Sequence, residues 1–290
     1  MKLSLAFKEY ADDVIAFRNQ SNRTEEASLT TQKLLVQFFG DIEIESLTFP
    51  MVRQWKQDLE KTRCPGTVRM YIIRLRVVLA YLITRKLDVL SPDSIPVPKR
   101  ADRVPEFITK EEVSRLIAAV GKPQAGYNAI NRVRNMAIVS FLYASGIRVS
   151  ELTGLNKLDI HEDGSFTIIG KGGYARLCFL DQRSRTLLNT YLALRSDDIP
   201  ALLLSTLEGA RITPNTVQEI FRHGSRKAGF VKSVHPHTMR HSFATDLLKT
   251  NTNLYYVSKL LGHRQLNTTS MYLHVVDEDL RAVYNDHHMV

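Results

Sequence analysis

The stretch HPHTMRH places His237 and Arg240 three residues apart, so on a helix they project from one face. An arginine is always charged and presents a fork that matches phosphate oxygens. A histidine beside it can donate a hydrogen bond or carry a proton near neutral pH. A second arginine, Arg148 in SGIRVSELTGL, sits near a glycine-punctuated helix start, and Lys171 sits at the turn of GKGG. With a tyrosine added, these residue types form a set suited to phosphoryl transfer without a metal. Tyr272, in LLGHRQLNTTSMYLHV, is one of eleven tyrosines, and it lies nine residues after His263. A free tyrosine, with a pKa of about 10, is a weak nucleophile at neutral pH and needs an activating environment. Taken singly, each of these residues is more often solvated surface or core.

Two competing chemistries fail on residue identity. The glycines of GKGG are not a phosphate-binding loop, because no GxxxxGK[ST] is present and Lys171 is followed by Gly172. His237 and His241 have zinc-ligand spacing, but Thr238 stands where a zinc protease has its glutamate, and no third ligand follows at suitable spacing. No metal site is expected.

The elements that must hold these residues are mostly helical. Phe7, Tyr10, Val14 and Ile15 share one helical face, as do Leu34, Leu35, Phe38 and Phe39, with Gly40 as the stop. Met51, Trp55 and Leu59 mark a third helix. The clearest is PGTVRMYIIRLRVVLAYLITRKL, where Val68, Tyr71, Ile72, Leu75, Val78, Leu79 and Leu82 form one apolar stripe. Arg69 and Arg76 lie on another face of it, with Arg74 and Arg85 nearby. This is the element expected to lie on a phosphate backbone, although a solvated basic face explains it equally well. Residues 91–107 carry four prolines and three basic residues, Lys99, Arg100 and Arg103, and read as a boundary. A helix restarts after Thr109, which with Glu112 forms a capping-box pattern. GSFTIIGKGGYARLCFL reads as a hairpin turning at Gly170–Gly173.

Composition agrees with a folded protein that meets an acidic partner. The 290 residues are 44% hydrophobic and 24% charged, which argues against disorder. No apolar run reaches 18 residues and the N-terminus turns acidic within nine, so neither a membrane span nor a signal peptide is expected. Cys64 and Cys178 are too few for a disulfide framework or a four-cysteine zinc site. The net charge of +9 is uneven: −3 over residues 1–51, +7 over 52–103 and +5 over the rest. Nucleic acid is the simplest partner for such an excess.

In order, SGIRVSELTGLNKLDI, GKGGYARLCFL, HPHTMRHSFATDLL, LLGHRQLNTTSMYLHV and DEDLRAVYNDHH resemble the tyrosine site-specific recombinase (integrase/Xer) family over residues 105–290. The first hundred residues resemble that family's core-binding domain by position and helix pattern. The resemblance implies a mainly α protein with a small antiparallel β-sheet in its C-terminal domain, built as a two-domain C-shaped clamp. It implies a helical (SAM-like) DNA-binding domain at 1–92, a linker at 93–106 and a catalytic domain at 107–290. A C-terminal exchange helix at about 276–286 would dock on a neighbouring protomer.

It further implies a role for each matching residue. Arg148 is the first active-site arginine, with Glu151 supporting it. Lys171 is the general acid toward the leaving 5′ oxygen, His237 and Arg240 form the HxxR pair, and His263 is a further phosphate ligand. Tyr272 is the nucleophile that forms a 3′-phosphotyrosyl bond. Met239 stands where the family usually has leucine, a conservative departure. Arg69, Arg74, Arg76, Lys99 and Arg100 are the expected DNA contacts. The implied function is site-specific recombination of double-stranded DNA by a homo-tetramer that can be a monomer in solution. It proceeds through a Holliday junction, without cofactor, metal or ATP, in the cytoplasm on the nucleoid. The chain opens directly on the core-binding domain, which suits Xer-like dimer resolution or transposon cointegrate resolution better than integration by a mobile element. A type IB topoisomerase and a catalytically silent DNA-binding accessory protein are the alternatives.

Overall fold

The computed structural model describes residues 1–17, 22–99, 106–123, 128–170, 173–205, 209–250 and 252–262. The chain divides into two compact units, Met1–Arg103 and Val104–Val290. Lys171, His263, Tyr272, Arg100 and the expected exchange helix at 276–286 lie outside the described residues.

The first unit is helical. Helix α1 (Leu3–Tyr10) passes directly into a π-helical stretch, Ala11–Ala16, which keeps Ala11 and Ile15 on the buried face. Helix α2 (Asn22–Phe39) ends where Gly40 takes a left-handed φ of +78°, the expected stop. Helices α3 (Phe49–Thr62) and α4 (Pro65–Thr84) both carry proline in the first turn, where a missing N–H costs nothing. All seven residues of the α4 stripe are buried, against Leu3, Phe7, Leu35, Trp55 and Leu59. Each large side chain so buried contributes on the order of 2 kcal/mol. Ile95 joins this core too.

The second unit is built around α6 (Ala129–Ser145), which touches α5 (Lys110–Gly121), α8 (Gln182–Ala193), α9 (Pro214–Lys227) and α10 (Pro236–Lys249). Covered on several sides, it buries Ala137, Ile138, Val139, Phe141 and Leu142 together with polar residues such as Arg134 and Asn135. Thr109 caps α5 with the full capping box: its hydroxyl accepts from the Glu112 N–H, and Glu112 accepts from the Thr109 N–H. Helix α11 (Leu254–Leu261) packs Val257 and Leu261 on Ala244 and Leu248 of α10.

Strands β1 (Ser165–Ile169) and β2 (Ala175–Phe179) form an antiparallel pair. The register sets Phe166 opposite Cys178 and Ile168 opposite Arg176. Side chains alternate along a strand, so Arg176 shares the inner face with Phe166, Ile168 and Cys178. Gly173 turns the hairpin at φ +79°, and its N–H reaches the Gly170 carbonyl.

Gly146 ends α6 at φ +61°, and a Cβ built there would lie 2.3 Å from the Phe243 ring on α10. Gly40, at a similar φ, has open space instead. Gly40→Ala is expected to cost about 1 kcal/mol, the penalty of a left-handed alanine. Gly146→Ala adds overpacking and should cost about 2–4 kcal/mol. Denaturant unfolding of the two variants checks the difference, and equal losses would contradict it.

Candidate active site

Arg148 caps the short helix α7 (Val149–Gly154), and Glu151, three residues on, holds it twice. Glu151 Oε2 accepts from the Arg148 backbone N–H at 2.7 Å, and Oε1 accepts from its guanidinium at 2.9 Å. Because the carboxylate grips both backbone and side chain, Arg148 enters the site in one orientation.

A second arginine holds the same carboxylate. Arg176, on the inner face of β2 with a side chain only 8% exposed, donates Nη1 to Oε1 at 3.1 Å and Nη2 to Oε2 at 2.5 Å. Burial pushes the Glu151 carboxyl up. The hydrogen bond from Arg176 and those from Arg148 outweigh it and hold its pKa below the usual carboxylate range. Glu151 is therefore an anion between two cations, and Arg148 keeps the more exposed position.

Arg240 comes from α10 and is buried at 4% exposure. It donates Nη1 to the Gly146 carbonyl at 2.7 Å and Nη2 to the Leu261 carbonyl at 2.5 Å. It thus ties the turn leading into Arg148 to the end of α11. His235 caps α10: its Nδ1 accepts from the Thr238 N–H, and Pro236 opens the helix. His237 follows on the first turn, and its ring lies 6.3 Å from that of His235. His237 is exposed to solvent on part of its surface. Partial desolvation, then the neighbouring His235, Arg240 and Arg148, lowers its pKa. The bond from Arg240 to the Gly146 carbonyl, two residues before Arg148, brings the start of α10 with His237 into the neighbourhood of Arg148. One helical turn deeper, His241 is lowered to about 4, by burial first and then by His237, His235 and Arg240.

The matching region of the phage integrase family spans residues 106–279. A tyrosine recombinase of Thermosipho africanus is 31% identical over 279 residues, covering 93% of this chain and 95% of the relative. Tyrosine recombinase XerC of Lactobacillus leichmannii is 37% identical over 222 residues, covering 71% of each. The chain belongs to the phage integrase family. Like the curated members it matches, it is a tyrosine recombinase and an enzyme. The fold agrees: the Tn1549 transposon integrase, in complex with transposon right end DNA, superposes with a TM-score of 0.78 over 99% of both chains at 17% identity. The mainly helical architecture with its two-stranded sheet is therefore the tyrosine recombinase fold.

Of the expected site residues of this recombinase, the structure brings Arg148, Glu151, His237 and Arg240 together. Gly170 precedes Lys171 in the hairpin turn and Gly262 precedes His263 at the end of α11. The expected DNA contacts behave differently. Arg69 donates to the Pro98 carbonyl at 3.0 Å, and Arg76 donates to the Ile95 carbonyl at 2.9 Å and to Asp93 at 3.0 Å. Both pin residues 93–98 to α4. Arg74 lies over the Tyr71 ring, and Lys99 is exposed. Sequence reasoning missed Arg176. Its signal was an arginine two residues before the buried Cys178, at a strand position that alternation turns inward.

Both histidine shifts are downward, so the unfolded chain takes up protons before the folded one does. The stability these imidazoles contribute is present above pH 6.5 and is lost as pH falls through 6.5 toward about 4, where folded His241 titrates. NMR titration should place the His241 midpoint near 4 and that of His237 below 6.5. A His241 midpoint at 6.5 would contradict the burial on which the shift rests.

Proposed function

We propose that this recombinase cleaves and rejoins duplex DNA at a specific site through a 3′-phosphotyrosyl intermediate on Tyr272. The observation that supports it is that Arg240, which shares the first turns of α10 with His237, donates to the Gly146 carbonyl two residues before Arg148, so two guanidiniums and an imidazole come from neighbouring segments. The phenolic oxygen of Tyr272 attacks the scissile phosphorus, a P–O bond to tyrosine forms, and the bond to the 5′ oxygen breaks. Arg148 and Arg240 neutralise the charge that develops on the non-bridging oxygens. His237, neutral above its lowered pKa, is in the state that can accept a proton. Lys171 protonates the leaving 5′ oxygen, and His263 is a further phosphate ligand. The phosphotyrosine keeps the energy of the cleaved phosphodiester, so rejoining to a new strand needs neither ATP nor metal.

In this proposal residues 1–92 are the core-binding domain, 93–106 the linker and 107–290 the catalytic domain. Arg74, Lys99 and Arg100 face the phosphate backbone, together with the remaining donors of Arg69 and Arg76. The active assembly is a homo-tetramer on DNA, joined through the exchange helix at 276–286, working through a Holliday junction in the cytoplasm on the nucleoid. The likeness to curated XerC sequences favours dimer resolution, or cointegrate resolution by a related route. Integration or excision of a mobile element is the alternative, for which the likeness to a transposon integrase speaks at the level of fold.

The test is to incubate the protein with fragmented genomic DNA, trap covalent complexes and sequence the attached ends. A nicked duplex carrying the recovered site should then give an adduct with the wild type in the presence of EDTA, and none with Tyr272→Phe. An adduct on Tyr272→Phe, or cleavage that EDTA abolishes and magnesium restores, rejects the mechanism. Relaxation of supercoils without recombinant product points to a topoisomerase, and binding without any adduct to a silent accessory protein.

On the same duplex, Lys99→Ala should weaken binding and lower the dependence of log K on log salt by about one. An unchanged salt slope removes Lys99 from the phosphate contacts.

A further inference from the structure

Arg176 occupies a position that the proposed chemistry leaves without a role. Its guanidinium is buried and pairs with both oxygens of Glu151, the carboxylate that also accepts from Arg148. Its alkyl stem lies under the end of α11: a Cβ built on Gly262 would come within 2.9 Å of Arg176 Cδ, and Gly262 has a φ of +66°. A Cβ on Gly170, at the start of the hairpin turn, would lie 3.7 Å from its Nη1. One side chain therefore pairs with the carboxylate that holds Arg148 and lies near Gly170, the residue before Lys171, and Gly262, the residue before His263.

We infer that Arg176 is a positioning residue for phosphate activation: it fixes Glu151 as a rigid bidentate anion, which in turn fixes the direction in which Arg148 enters the site. This rests on the reading of Arg148 as a phosphate ligand. Oε1 accepts from both guanidiniums and Oε2 from Arg176 and the Arg148 backbone N–H, which holds the carboxylate against rotation, since the fork-to-fork pair with Arg176 sets orientation as well as distance. Lysine in place of Arg176 would keep the charge but, as a point donor, could not hold both oxygens in plane. Glu151 would then turn, and Arg148 with it. Small misplacements of a group that stabilises a transition state carry large rate penalties.

The decisive experiment uses the full chain and a nicked duplex bearing the site recovered from trapped DNA. The duplex is made once with a normal scissile phosphate and once with a methylphosphonate there. The methyl group removes the negative charge that Arg148 neutralises, so cleavage of the second duplex no longer needs a correctly aimed Arg148. Arg176→Lys should slow adduct formation on the normal phosphate by about 100-fold. On the methylphosphonate it should come within about threefold of the wild type, the pattern expected of Arg148→Ala. The paired variant Glu151→Gln/Arg176→Gln, which leaves no lone buried charge, is measured alongside and should show the same selectivity. Equal slowing on both duplexes by both variants means a general structural role and overturns the inference. So does a wild-type rate for Arg176→Lys on the normal phosphate. Absence of a Tyr272-dependent adduct from the wild type itself shows instead that the underlying reading has failed, and the inference goes with it.

Discussion

A guanidinium inside a protein must meet acceptors, because an unpaired buried charge costs several kcal/mol. Among its described residues the second unit buries four of them almost completely, and the arrangement of its site follows from where each finds its oxygen atoms. Arg134, at 1% exposure, takes the Leu204 carbonyl and the Asn135 side chain. Arg195 takes Asp197 and the carbonyls of Ile199, Ala201 and Leu202, pinning the segment after α8. Arg240 takes carbonyls at the ends of α6 and α11, and Arg176 takes Glu151. The acceptors are carbonyls of turns and helix ends, the Asn135 amide and the carboxylates of Asp197 and Glu151, most of them on segments that helix packing alone would leave loose.

Glycine gives these arginines room to work. The carbonyl of Gly146 is presented to Arg240 because the backbone there turns left-handed under the Phe243 ring. Gly262 does the same beside Arg176, where any side chain would meet the arginine stem. In both places a close approach and a positive φ coincide, and only glycine meets the two conditions at once. The Tyr143 hydroxyl, donating to Asp246, adds a further tie between α6 and α10. Burial and then that carboxylate raise the tyrosine pKa above its ordinary value, so the phenol keeps the proton that makes the bond.

The electrostatic outcome is a site of excess positive charge that is nevertheless oriented. Glu151 neutralises part of the charge of Arg148 and Arg176 without leaving either unpaired. His237 stays neutral at pH 7 because it is partly desolvated and has cationic neighbours. A phosphate entering this locality would meet donors already in place, so little reorganisation accompanies the reaction, which is the condition for strong electrostatic catalysis.

Much of this was legible in the residues. The α4 stripe, the Gly40 stop, the capping box of Thr109 and the hairpin at Gly170–Gly173 all depend on neighbours within a few positions, where periodicity and turn chemistry act. So did the grouping of His237 with Arg240, three residues apart on one helix. Arg69 and Arg76 looked like a free basic face, and only the folded chain shows both stitched to residues 93–98, a contact made 17 to 29 positions away. The link from Arg176 to Glu151 spans 25 positions and that from Arg240 to Gly146 spans 94, and no local pattern encodes either. The sequence by itself determined which elements form and which residue types could bind phosphate, because helix and strand periodicities and side-chain chemistry are local properties. The tertiary structure alone decided which arginines face inward and what they hold, because the cost of burying a charge is settled only when distant segments supply its partners.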